Sequence, residues 1–302
     1  AVHRGPHRDA TSSRAADPVA SEQLYTMSNT TVTSYPVIRN IEQLGWMLEQ
    51  CRDRSELNLV GVDAEWQGAH PHNAGSYLRC VQFGWRAGEA AVMSLTDTQG
   101  NWTFADHNGD TSESVRKKAF AMVVDWFAKY CLRVAGFYFG ADLEWLKFVG
   151  MNLSYAYEPA DSPQEARTKG GFGVELAVAA VDELMSNNLE TVRWRFTTVG
   201  DYFAPFDRFR NDAKFPDESI RKAGFGWISD EHLYPYAGGD ADVTVQAAHR
   251  LIRELDSDRF GNNSWLPYWN ALRASLTVCE IMQTGMPFSK RRCGEQALRY
   301  ST

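Results

Sequence analysis

Apolar positions along the chain switch between two periods, and the switches mark the elements. Ile41, Leu44, Met47 and Leu48 recur at three- and four-residue spacing, which predicts a helix over 41–51. The run LNLVGVDAEW (57–66) is largely apolar until it ends on two acids, and it predicts a strand. LRCVQFGW (78–85) predicts a second strand, and the turn RAG leads into a third over 89–95, a hairpin signal. Helical spacing returns with Phe120, Val123, Val124 and Phe127 inside 112–130, where Trp126, Phe127 and Tyr130 form a stripe that reads as core. RVAGFYF (133–139) predicts a fourth strand, and ADLEWLKFVG a short helix stopped by Gly150. Helical stretches follow over about 174–195, residues 200–230 show no sustained period, and further helices are expected over 235–255 and 266–283. Hairpin strands first, then strands alternating with helices, predict an α/β fold with a mixed β-sheet flanked by helices.

The composition is compatible with a large core: 302 residues, 44% hydrophobic and 13% aromatic. A net charge of −7 argues against coating nucleic acid through bulk positive charge, while leaving room for an enzyme that grips a few nucleotides locally. Cys51, Cys80, Cys131, Cys279 and Cys293 are scattered, odd in number and free of CxxC spacing, so they read as thiols in a reducing compartment. No apolar run approaches the length of a membrane span, so no membrane partner is expected. Residues 1–26 are polar, rich in Ala, Ser and Arg, and expected not to fold. Met27 opens a plausible natural start, so residues 1–26 are expected to lie upstream of it or to be non-native. The expected location is cytoplasmic or inside a host cell; His3, Arg4, Arg8 and Arg14 leave an organelle open, against Asp9, Asp17 and Glu22.

The chemistry starts at Asp63 and Glu65. Residues two apart in a strand point to one face, so these carboxylates project together. Like charges a few ångströms apart require that one protonate or that a cation sit between them, and hard divalent ions take such oxygen ligands. Taken alone, a solvated strand end explains the pair. Asp142 follows the strand 133–139 at the equivalent strand-end position, where its plainer reading is a helix N-cap. Asp240 lies four residues after Tyr236 and shares its helix face. Gly238 and Gly239 within that helix signal either a close approach by a neighbour or a turn that delays the helix start. Asp242, about 200° around the helix from Tyr236, reads as structural.

VDAEW, GFYFGADLEWL and YAGGDADVTVQAAH, in this order, resemble the three exonuclease motifs of the DEDD superfamily in its tyrosine subtype, above all the proofreading 3′→5′ exonuclease domain of family A, phage-type DNA polymerases. NNLETVRWRFT and AGFGWISDEHLYPYAGGDADVT extend the resemblance, which covers roughly 57–256. It implies an RNase H-like fold and an exonuclease domain over 27–256. It also implies a two-metal site in which Asp63, Glu65, Asp142 and Asp240 hold two divalent cations, Mg2+ or Mn2+, beside Tyr236. With an ordinary pKa near 10, Tyr236 is expected to orient the attacking water rather than serve as a base. The implied reaction removes nucleoside monophosphates from the 3′ end of single-stranded or frayed DNA, with a polymerase domain or subunit as a further partner. RASLTVCEIMQTGMPFSKRR (273–292) resembles the passage into such a polymerase domain, so 257–302 is expected to be a linker and helix that begin one, and the chain stops there.

Several positions depart from the pattern or compete with it. Relatives carry Asn where Tyr138 stands; an aromatic there either stacks on a base or belongs to the core. Glu175 replaces an Asp that is not a metal ligand in relatives. His70 and His72 lack a third ligand and read as a solvated loop. Arg193, Arg195, Arg208, Arg210, Lys214, Arg221 and Lys222 interleave with Asp201, Asp207, Asp212, Asp217 and Glu218, a pattern that fits phosphate contacts or a mixed surface. Two rival functions stand beside the DNA exonuclease: a 3′→5′ exoribonuclease of the same superfamily, and a catalytically silent DNA-binding scaffold.

Overall fold

The computed structural model describes residues 34–186, 188–212, 224–257 and 264–284. The segment 1–26, Lys214, Arg221, Lys222, Cys293 and the chain beyond 284 lie outside the described residues. Six strands, β1 (Val37–Ile38), β2 (Leu59–Gln67), β3 (Tyr77–Arg86), β4 (Glu89–Ser94), β5 (Arg133–Gly136) and β6 (Phe172–Gly173), form one sheet in the order β1-β4-β3-β2-β5-β6. The central β2, β3 and β4 are antiparallel, and β1, β5 and β6 join in parallel, giving the mixed sheet that the sequence pattern predicts. The helices are α1 (Ile41–Arg54), α2 (Glu113–Lys129), α3 (Phe139–Val149), α4 (Ser154–Tyr157), α5 (Val174–Val181), α6 (Leu189–Phe196), α7 (Phe203–Asp212), α8 (Asp230–Asp256) and α9 (Trp265–Thr284).

Four boundaries move from their expected places, each for a local reason. Leu57 and Asn58 adopt left-handed backbone (φ 56° and 53°), so β2 starts at Leu59. Tyr138 does the same (φ 53°), which ends β5 at Gly136 and starts α3 at Phe139. Residues 203–212, expected to be irregular, form α7, which Asp201 opens by accepting from the Ala204 N–H at 3.0 Å. Helix α8 begins at Asp230, five residues before the expected start, with Asp230 and Glu231 placing charge where the helix dipole favours it. Pro235 costs this helix one internal hydrogen bond without ending it.

The sheet is covered on both faces. On one, Phe83 of β3 meets Phe127 of α2 at 6.2 Å within a core that includes Leu44, Met47 and Val62. Helix α8 lies on the other. Gly61 and Gly84 pair directly across β2 and β3 beneath it. A Cβ on Gly61 would stand 2.7 Å from the Ala241 carbonyl oxygen, and one on Gly84 closer still. Both glycines are therefore the condition for the helix to approach the sheet so nearly. Arg79 fixes the start of the same helix. It is the extra residue of a β-bulge, because Glu65 pairs with Cys80 and Trp66 with Leu78. Its fully buried guanidinium donates to the carbonyls of Thr96 and Ile228 and to Asp230 Oδ1 at 2.8 Å.

Helix α9 docks on the same body. Tyr268 accepts from the Gly173 N–H at 3.1 Å, Trp269 Nε1 donates to the Ala160 carbonyl at 2.7 Å, and Tyr268 packs on Phe172. The described cysteines, Cys51, Cys80, Cys131 and Cys279, are free thiols. Among the described residues no helix is long and apolar enough to cross a membrane.

Replacing Gly84 with Ala drives a methyl group into the backbone of α8, which has no flexible side chain to yield. Urea unfolding of Gly84→Ala is expected to show a loss of about 1–3 kcal/mol, the usual cost of overpacking. An unchanged midpoint would mean that α8 does not sit this close to the sheet.

Candidate active site

Asp63 and Glu65 leave β2 on the face shared with Gly61, under α8. The contact that seats Ala241 over the glycine pair also sets its neighbour Asp240 against them. Asp63, Glu65 and Asp240 each bring a carboxylate oxygen into one group whose ligand atoms lie within 4.8 Å of one another. Asp142 is not one of that group, but it stands near enough to Asp63 and Glu65 for their charges to act on one another. Strand β5 runs parallel to β2 and delivers the first turn of α3 to the same end of the sheet, where Asp142 is buried and feels the charge of Asp63. The helix N-cap position belongs to Tyr138, so the capping reading of Asp142 does not hold.

Burial raises the carboxyl pKa of Asp63, Glu65 and Asp142 well above the usual range, and their mutual repulsion adds to it. Burial likewise pushes Asp240 up to about 7, opposed by the hydrogen bond from the Tyr202 hydroxyl. Among the described residues none of the four carboxylates forms an ion pair; the charge of the Arg210 guanidinium on α7 acts on Glu65 against the repulsion. Oxygen donors alone, like-charged and crowded without a protein counter-ion, are the ligand chemistry that suits Mg2+ or Mn2+. The donor set fits the expected divalent cations.

Tyr236 lies in an aromatic stack, 3.9 Å from Phe206 and 5.8 Å from Phe225, both rings nearly parallel to its own. Burial, then the Asp240 charge, raises its hydroxyl pKa well above the ordinary value, so it is a proton donor in hydrogen bonds rather than a base. Tyr138 is 53% exposed at the entrance to α3, which removes the core reading; its ring lies at the surface, edge-to-face with Phe137 at 4.9 Å. Glu175 is buried, and burial raises its carboxyl to about 7.

The remaining candidates resolve into structure. The glycines in α8 answer a close approach: a Cβ on Gly238 would collide with the Tyr35 ring and one on Gly239 with that of Tyr202, at 2.6 Å. Asp242 accepts from Tyr35, the Gly88 N–H and Gln246, and is structural as expected. His70 and His72 are exposed; His70 lies 3.7 Å from Glu144 and His72 packs edge-on against Phe148. Of the basic stretch, Arg195 pairs with Asp182 and Arg193 is buried, so only part of it faces solvent.

Sequence reasoning missed Tyr202, whose hydroxyl donates to Asp240 Oδ1 at 2.5 Å, and the whole of α7. Phe203, Phe206 and Phe209 at three-residue spacing after Asp201 are the signal that would have revealed that helix. It missed Gln82 too, buried directly opposite Asp63 on β3, with its Oε1 unpartnered among the described residues.

No family model matches the chain, and no curated protein does. Solved structures do. Trypanosoma brucei RNase D is 13% identical, covering 86% of this chain and 77% of its own, with a TM-score of 0.50. Brucella melitensis NrnC is 15% identical over 84% of this chain and 95% of its own, with a TM-score of 0.49. Escherichia coli RNase D, an exoribonuclease involved in structured RNA processing, is 14% identical over 84% of this chain and 52% of its own, with a TM-score of 0.46. At such identities the likeness is one of fold, and it agrees with the RNase H-like α/β architecture expected from the motifs.

The raised carboxyl pKa values set a pH dependence. A carboxyl titrating near 3.9 in the unfolded chain and near 7 in the folded one favours folding most below the unfolded value. That stability is lost as pH rises through the window between the two. Thermal melts of the metal-free protein are therefore expected to fall from about pH 4 to pH 7, and Mn2+ to restore the midpoint at pH 7 and above. Asp63→Asn is expected to raise the metal-free midpoint and abolish the Mn2+ gain; a metal-free midpoint that climbs across this window would contradict the crowding.

Proposed function

We propose that the chain is a metal-dependent 3′→5′ exonuclease that releases nucleoside monophosphates from the 3′ end of a single strand, with RNA as the substrate. The observation that carries the reading is the gathering of Asp63, Glu65 and Asp240 from β2 and α8, with Asp142 beside Asp63 from α3. These four carboxylates are the proposed metal ligands. Two divalent cations, when bound, supply a water of lowered pKa and charge stabilisation for the leaving 3′ oxygen. The protein's own part is placement. Asp63, Glu65, Asp142 and Asp240 define where the terminal phosphate sits; Tyr236, stacked on Phe206 with Phe225 beside both, presents its hydroxyl to orient the water. The exposed Tyr138 ring offers a face on which a base can stack.

The fold shared with Trypanosoma brucei RNase D supports RNA over DNA. The DNA reading keeps one support, the resemblance of YAGGDADVT to the third motif of polymerase-linked exonucleases. Proofreading and a polymerase partner rest on that resemblance alone, as does the assignment of 257–302 to the start of a polymerase domain. The exonuclease domain is proposed to occupy 27–256.

Matched RNA and DNA oligonucleotides, labelled and blocked at either end, test both polarity and substrate. With Mn2+, a ladder on 5′-blocked RNA and none on 3′-blocked RNA is expected, with slower trimming of DNA. Asp63→Ala and Asp240→Ala are expected to lower the rate at least about a hundredfold, since each removes several kcal/mol of charge stabilisation. Faster trimming of DNA would restore the DNA reading, and no trimming by the wild type would favour a silent binding module.

A further inference from the structure

The Asp240 carboxylate is held by a residue outside the recognised motifs. Tyr202, in the turn between α6 and α7, is almost fully buried and donates its hydroxyl to Asp240 Oδ1 at 2.5 Å. Its ring occupies the space that the missing side chain of Gly239 leaves open, where a Cβ would come within 2.6 Å of it. The buried Arg193 guanidinium stands 6.0 Å from the ring centroid on another side, and the Tyr236 ring 6.1 Å away at 49°. The ring is therefore fixed by α6 and α8 before its hydroxyl is considered. A carboxylate crowded by Asp63 and Glu65 would relieve repulsion by rotating away, and a hydrogen bond from a fixed donor opposes that rotation.

The chemistry of the donor matters as much as its position. A lysine or arginine at this place would neutralise Asp240 and compete with a cation for it. A phenol holds the carboxylate in place and leaves its full charge in the cluster.

We infer that Tyr202 is a positioning residue of the metal site, which orients Asp240 for cation binding while leaving the Tyr236 hydroxyl available to the water. The inference rests on the two-metal reading above. Its test follows Mn2+ binding by the electron paramagnetic resonance of the free ion, using wild type, Tyr202→Phe, Asp240→Asn, the double variant and Asp63→Asn. Phenylalanine keeps the ring against Gly239 and Arg193, so the fold is retained; circular dichroism and the metal-free melting temperature check that. Tyr202→Phe is expected to weaken Mn2+ affinity about 10-fold or more, the usual effect of removing a partner of a metal ligand. At saturating Mn2+ most of the exonuclease rate should return, with the KM for the oligonucleotide little changed. In the double variant, loss of the hydroxyl is expected to add nothing to Asp240→Asn, because the effect passes through that carboxylate.

Wild-type Mn2+ affinity in Tyr202→Phe, with binding lost in Asp63→Asn, would overturn the role of Tyr202 and leave the metal site standing. Equal Mn2+ uptake by wild type and Asp63→Asn would overturn the site reading, and the role of Tyr202 with it. A further loss of affinity in the double variant beyond Asp240→Asn would show that the hydroxyl acts elsewhere, and would also overturn the inference.

Discussion

The close approach of α8 to the central strands is the constraint on which the rest depends. It exists because Gly61 and Gly84 face each other across β2 and β3 and leave room for the Ala241 carbonyl. Asp240 precedes Ala241 in the chain, so the depth at which the helix seats also decides how near Asp240 comes to Asp63 and Glu65. Arg79 holds the start of the same helix through Ile228 and Asp230, and it reaches them from a bulge beside the Glu65 pairing. Packing and chemistry are thus set by one contact surface: a helix lying higher on the sheet would separate the carboxylates and relax their repulsion.

That repulsion is a local conflict which the fold sustains. Four crowded carboxylates, Glu65, Asp142 and Asp240 buried and Asp63 half-buried, have no ion-pair partner among the described residues; they disfavour the folded chain at neutral pH, and the surrounding core supplies the stability that keeps them together. The site responds with a neutral donor. Tyr202 bonds Asp240 without cancelling its charge. Arg210, placed over the Phe225 ring by α7, adds positive field at Glu65 without forming an ion pair with it. The balance suits a site whose counter-charge arrives with its ligands.

Much of this was legible in the chain. Strands β2 to β5, the hairpin and the helices after Ile41 and Glu113 follow from apolar periodicity, which is local and survives without knowledge of partners, whereas the two-residue strands β1 and β6 are too short to show a period. The end of β5 was less legible, because a left-handed tyrosine at 138 carries no propensity signal; only packing justifies its strain. Helix α7 escaped notice because its apolar face, Phe206 and Phe209, is short and answers to Tyr236 and His232 far along the sequence. The glycines in α8 announced a close approach, yet the residues that approach, Tyr35 and Tyr202, lie more than thirty residues away and could not be named from spacing.

By itself, then, the sequence determined the candidate acids, their order and the elements that carry them, because same-face geometry in a strand or helix is a property of the backbone. It determined Asp63 with Glu65, and Tyr236 with Asp240, as pairs. Whether the pairs meet was decided only by tertiary structure, through two glycines and a bulged arginine that set the height and tilt of one helix. The same holds for Tyr202, whose hydrogen bond to Asp240 spans 38 residues. Distances across a sheet are fixed by packing, and no local pattern encodes them.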